Sequence, residues 1–111
     1  MGNVVYFELP TGDAPAAQAF WGGLFGWQFE PGNFPGYHMI PNAGPLAGMD
    51  SSQGPSPIRV FFGVENIESS AAKVRELGGE AGEAIELPSG WLVRCSDPQG
   101  VEFTLWKNKG A

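Results

Sequence analysis

The chain is poor in the residues on which several large function classes depend. Cys95 is the only cysteine among 111 residues. One thiol forms no internal disulfide and no cysteine-built zinc cluster, and a reducing cytoplasm is its simplest home. Lysine and arginine together number six, against twelve aspartates and glutamates, for a net charge of −6. So few cations argue against nucleic acid, whose binding rests on neutralising phosphates, and equally against an anionic membrane surface. No apolar run approaches the roughly 20 residues needed to cross a bilayer. The opening Met1-Gly2-Asn3-Val4-Val5-Tyr6 has neither a basic region nor a signal-type apolar stretch. These absences leave a cytoplasmic protein whose partner is a small organic ligand or another protein.

Hydrophobic residues make up 42% of the chain, enough for one packed core. Seventeen glycines and ten prolines are spread between the apolar segments, and read as turns joining short strands. The first half opens with the β-rich run Val4–Leu9, ended by Pro10. Asp13 is a good N-cap, Pro15 is tolerated in a first helical turn, and Ala17, Phe20, Trp21 and Leu24 follow at helical spacing before Gly26. Short strands are expected near 27–30, 36–40 and 45–49. The second half repeats the order: strand 58–64, cap Asn66, helical stripe Ile67, Ala71, Val74 and Leu77, a stop at Gly78-Gly79, then strands near 80–87, 91–96 and 101–106.

The halves superpose at an offset of 53, which pairs Asp13 with Asn66, Leu24 with Leu77 and Gly26 with Gly79; later the offset becomes 56, pairing Gly44 with Gly100. The reading is a single domain over 1–111, with module 1 at about 3–50, a polar, turn-rich linker at 51–57 and module 2 at about 58–106.

Three segments carry a resemblance. They are Asp13…Ala19-Phe20-Trp21…Leu24-Phe25-Gly26-Trp27, then Ala72-Lys73-Val74-Arg75-Glu76-Leu77-Gly78-Gly79, then the turn Asp97-Pro98-Gln99-Gly100 before Val101-Glu102-Phe103. In order and spacing they resemble the vicinal oxygen chelate superfamily, the glyoxalase, bleomycin-resistance and dioxygenase group. The resemblance implies an α+β fold: two tandem βαβββ modules forming a curved mixed sheet around a shared cavity, helices outside. In metal-dependent members of that group, the first and last strand of each module each contribute one ligand, usually His, Gln or Glu. The corresponding positions here are Tyr6, Gly48, Arg59 and Thr104. Cation sites are built from carboxylate, imidazole or thiolate donors; Gly48 has no side chain, Thr104 is a weak neutral oxygen and Arg59 is a permanent cation. The expectation is a member without the usual metal site and without a cofactor.

Glu8 shares strand parity with Tyr6, and Glu102 with Thr104. Either carboxylate could act as acid or base in an aromatic cavity, or could instead pair with Arg59. His38, the only histidine, is a second candidate base, and the repeat pairs it with Arg94. Cys95 reads as a small buried residue, Phe20 and Trp21 as core. A cavity lined by Tyr6, Glu8, Arg59, Phe61, Glu102 and Thr104 would bind a small organic molecule, with Arg59 suited to a carboxylate. Two other readings remain: a metal-independent isomerase or lyase using Glu8 or His38, and a metal-dependent lyase or dioxygenase with ligands rearranged among Glu8, His38, Asp50 and Glu102. A homodimer is expected, because sheet edges need cover; light scattering giving a single chain's mass would refute it.

Overall fold

A computed structural model describes residues 2–110; Met1 and Ala111, the ends of the expected 1–111 domain, lie outside the described residues. In the first half β1 (Val4–Pro10) leads to α1 (Ala14–Phe25), β2 (Glu30–Pro31), β3 (Tyr37–Ile40) and β4 (Leu46–Asp50). In the second, β5 (Arg59–Gly63) leads to α2 (Ile67–Glu76), β6 (Glu80–Ala81), β7 (Ile85–Leu87), β8 (Gly90–Ser96) and β9 (Glu102–Asn108). This is the α+β, twice-repeated βαβββ order. The strand expected near 27–30 forms only at Glu30–Pro31. The one expected over 80–87 is broken in two: β6 pairs Ala81 with Cys95, and β7 pairs Ile85 with Leu92. Residues 82–84 therefore lie opposite only 93 and 94, a bulge that parts β6 from β7 along the same neighbour.

The chain forms two compact units, Tyr6–Arg59 and a second that joins the N-terminal residues up to Val5 with the chain from Val60 onward. Their boundaries fall within β1 and β5. In the first unit the strands run β2-β3-β4-β1, antiparallel except for the parallel β1–β4 pair. In the second they run β6-β8-β9-β5, with β7 also on β8 and with β5–β9 parallel. Both sheets are therefore mixed, and each puts its module's first and last strands side by side.

Both helices start as their caps dictate. The Asp13 carboxylate accepts from the Ala16 amide at 3.0 Å, and the Asn66 side chain accepts from the Ser69 amide at 2.8 Å. Gly26 ends α1 at φ 72°, the left-handed region that glycine enters without strain. In the first unit Leu9, Ile40, Ala47 and Met49 form the core, with Phe7, Ala14, Ala17, Trp21, Trp27 and Phe29 packed on it. In the second, Ala71, Val93, Cys95 and Leu105 do so, with Ile67, Val74 and Phe103.

The helical stripe of α1 needs correction. Its core-facing seam is Ala14, Ala17 and Trp21, all half-buried, whereas Phe20 and Leu24 are 61% and 57% exposed. No charged residue lies in α1, so no polar face contrasts with the seam, and neighbouring positions 100° apart on the helix read alike. Leu77 likewise falls at the end of α2 and is exposed.

The registers also place the repeat. Glu8 lies opposite Gly48, and Phe61 opposite Thr104, pairs related by the offsets 53 and 56. In the hairpins Met39 lies opposite Gly48 and Arg94 opposite Thr104, so Arg94 corresponds to Met39 and His38 to Val93. The expected pairing of His38 with Arg94 is off by one. Six residues (41–46) separate Ile40 from its partner Ala47, but seven (96–102) separate Cys95 from Phe103. A slip of one moves a side chain to the other face.

Candidate functional site

Alternation along β1 sends Phe7 and Leu9 into the core beneath α1 and leaves Tyr6 and Glu8 on the other face. On β3 the same rule sends Tyr37 and Met39 to that face; on β4 it sends Gly48 and Asp50, opposite Glu8 and Pro10. Arg59, at the start of β5, reaches the same group. The side chains then interlock. The Tyr6 and Tyr37 hydroxyls are hydrogen-bonded to each other. The Tyr37 hydroxyl donates to Glu8 Oε2 at 2.8 Å, and Arg59 Nη1 donates to Glu8 Oε1 at 2.8 Å. Asp50 Oδ2 lies 4.0 Å from the same Arg59 nitrogen. The Arg59, Glu8 and Asp50 side chains are 26%, 13% and 15% exposed, so the cluster is largely drawn in from solvent.

Gly48 makes this packing possible. A Cβ there would overlap the hydroxyl oxygens of both Tyr6 and Tyr37. The space that a side chain at this position would use is taken by two phenols.

Burial raises the pKa of Tyr6, an effect the hydrogen bond with Tyr37 reduces and the Glu8 charge reinforces. Tyr37 is driven further up by burial, by its bond with Tyr6 and by the Glu8 charge. Both phenols keep their protons at neutral pH, so neither supplies a phenolate base. Asp50 moves the opposite way. Burial pushes it up, but the Ser52 hydroxyl and amide, bonded to Oδ1 at 2.6 and 2.9 Å, and the nearby Arg59 outweigh that and hold it below its ordinary value. A carboxyl that ionises more readily folded than unfolded stabilises the fold above the ordinary carboxyl range, and that contribution is lost as pH falls through the folded value. Asp50→Asn is therefore expected to flatten the acid limb of the stability curve. Urea midpoints from about pH 6 to about pH 2 check this; a slope equal to that of the parent would refute it.

The structure thus brings Tyr6, Glu8 and Arg59 together. It places His38 elsewhere, on the face of β3 that packs beneath α1, opposite Met49 in register. Its Nδ1 is buried with no hydrogen-bond partner among the described residues. Glu8 and His38 stand on opposite faces of one sheet and do not form an acid–base pair. In the second unit Phe61 and Thr104 are buried side by side, and the Phe61 ring meets Trp106 edge-on at 6.4 Å. Glu102 lies at the mouth of β9, exposed, opposite Ser96. Trp27 and Phe29 pack on the α1 side, away from Tyr6 and Glu8. Cys95 is buried, and burial pushes its thiol up against a smaller opposing effect of Arg75.

Tyr37, the sequence neighbour of His38, is the β3 residue that joins this cluster. The signal was the parity of β3 against Gly48: a residue sharing a face with Met39 sits beside the glycine.

A divalent cation finds few donors. Tyr6, Gly48 and Arg59 offer a protonated phenol, no side chain and a cation, and Thr104 offers a buried hydroxyl. Among the described residues no group of three or more His, Cys, Asp or Glu side chains could hold a metal ion. The residues at the marked positions do not fit the family's metal.

The family model of the glyoxalase-like domain matches residues 5–106. The chain belongs to the glyoxalase-like domain family. No curated protein matches the sequence. Solved structures that share the glyoxalase-like fold include a hypothetical protein from Bacillus halodurans C-125, 14% identical over 97% of this chain and 95% of that one, with a TM-score of 0.72. A glyoxalase/bleomycin resistance protein/dioxygenase superfamily member from Vibrio splendidus 12B01 is 17% identical over 97% and 99%, with a TM-score of 0.68. Methylmalonyl-CoA epimerase from Mycobacterium tuberculosis is 14% identical over 96% and 87%, with a TM-score of 0.64. At such identities these glyoxalase-like neighbours share the fold alone. Among the described residues no helix is long and apolar enough to cross a membrane.

Proposed function

We propose that this glyoxalase-like protein binds a small organic molecule on the sheet face carrying Tyr6, Glu8, Tyr37 and Arg59, and does so without the family's divalent metal. One observation carries the reading: the Arg59 guanidinium is bonded to the Glu8 carboxylate at 2.8 Å, beside a glycine whose side-chain space two phenols fill. A cation placed there would meet a fixed positive charge and would compete for a carboxylate already committed. What the face offers instead is aromatic surface with a few fixed polar groups, the usual make-up of a small-molecule site.

An isomerase or lyase reading, which the epimerases among the structural neighbours bring to mind, needs a base. Glu8 has both oxygens engaged and His38 lies on the other face, so this geometry supports binding above catalysis. Metal analysis tests the proposal. Protein incubated with Mg²⁺, Mn²⁺, Co²⁺, Ni²⁺ or Zn²⁺ and then desalted is expected to retain far less than one ion per chain, and a chelator to leave its melting temperature unchanged. A stoichiometric, chelator-removable ion would sink the proposal.

A further inference from the structure

We propose that the second unit carries a binding site of its own, for small molecules that bear an ammonium and a carboxylate together. It lies on the face of the β6-β8-β9 sheet that carries Thr104. Every residue in it belongs to that unit, so it does not rest on the Tyr6–Arg59 cluster. Register builds it. Residues directly opposite on antiparallel strands share a face. Glu80 lies opposite Ser96, and Ser96 opposite Glu102, which sets a carboxylate on either side of a serine in one row across three strands. The next residues, Ala81, Cys95 and Phe103, turn to the other face and pack in the core with Ala71 of α2. Two interstrand spacings separate Glu80 from Glu102, roughly 10 Å between backbones. Serine is too short to fill that gap. Alternation brings Arg94, two residues before Ser96 on β8, to the same face.

Glu80, Ser96, Glu102 and Arg94 line a cavity of about 590 Å³, a size that holds small organic molecules. Arg75 of α2 fixes its outer wall: Nη2 donates to the Ala81 and Gly82 carbonyls at 3.1 and 3.0 Å and so holds the edge strand β6 in place. The other charges are not spent on one another. Among the described residues the Glu80, Glu102 and Arg94 side chains have no hydrogen-bond or ion-pair partner, and all three are exposed. Two glutamates and two arginines leave the cavity without net charge, which suits a molecule that is itself a dipole. A bare anion would meet the glutamates. A metal ion would find two carboxylates and a hydroxyl, short of the donor group it needs. An ammonium above Ser96 donates to Glu80 and Glu102, and a carboxylate takes the planar fork of Arg94. The step along β8 from Ser96 to Arg94, ~7 Å, asks for a few methylenes between the two groups.

The test uses γ-aminobutyrate, butylamine and butyrate, each titrated into the intact chain at neutral pH and low salt while the backbone amides are followed by NMR. γ-Aminobutyrate is expected to bind roughly fivefold more tightly than either half of itself, the worth of one further exposed ion pair. The largest shifts should fall on Glu80, Gly82, Arg94, Ser96 and Glu102. Arg94→Gln should erase the advantage over butylamine. Glu80→Gln combined with Glu102→Gln should erase the advantage over butyrate. These side chains are exposed and unpaired, so the variants are expected to melt where the parent does. Glu68→Gln, an exposed carboxylate of α2 outside the cavity, controls for bulk charge and should change none of the three affinities. Equal affinity for the three probes, shifts centred elsewhere, ratios unchanged in the cavity variants, or no binding by any probe to the folded chain would each overturn the inference, and none of them bears on the Tyr6–Arg59 face.

Discussion

Gly48→Ala is expected to lower stability by about 3 kcal/mol, the upper end of what overpacking costs, and the melting temperature by on the order of 10 °C. The reason is local. The added methyl has no direction in which to yield, because it overlaps two hydroxyl oxygens that are bonded to each other, one of which is also bonded to Glu8. Relief requires moving a phenol and so breaking the cluster from its centre. A second change that shortens one ring, Tyr37→Leu, should recover part of the loss, because it empties the space the methyl needs. The same reasoning applies to Gly48→Glu: there is no room for its side chain while both tyrosines stand. Thermal and urea denaturation of the three variants checks the set. An alanine variant as stable as the parent would mean that the phenols are not fixed where they lie.

Arg59→Met carries the second large effect. Breaking a fully buried ion pair from one side costs about 3–5 kcal/mol. Here the partners are 26% and 13% exposed, so solvent screens part of that and about 2 kcal/mol is expected. Most of the loss comes from what remains: Glu8 keeps its bond from Tyr37 but loses its counter-ion, and Asp50 adds a like charge nearby. Adding Glu8→Gln to Arg59→Met should return much of the stability by removing the stranded charge. A double-mutant cycle on denaturation midpoints measures this coupling. Additive losses would show that the two side chains do not depend on each other.

Much of the scaffold was legible in the sequence, because it rests on local rules. Asp13 and Asn66 announce helices by chemistry that acts over three residues, and the Asp97-Pro98-Gln99-Gly100 turn closes on itself, with Asp97 accepting from the Gln99 and Val101 amides. Strand parity put Tyr6 with Glu8, and counting from the caps put Arg59 on the same short list. What could not be read depended on register. His38 and Tyr37 are neighbours in sequence and end on opposite faces; which of them joins Glu8 is set by the length of the turn between β3 and β4, to one residue. The seam of α1 was lost for a different reason. A helix with no charged residue carries no contrast, and only packing on the core of Leu9, Ile40, Ala47 and Met49 shows that Trp21 faces inward while Phe20 does not.

That inward-facing indole has an optical consequence. Trp21 lies flat against Trp27, 5.4 Å between ring centres and 8° from parallel. Two indoles held this way couple their transition dipoles and contribute a paired band to the near-ultraviolet circular dichroism that isolated indoles lack. Trp91 and Trp106 belong to the other module, so the paired band reports on the Tyr6–Arg59 half alone, and its loss marks the melting of that half without any label being attached.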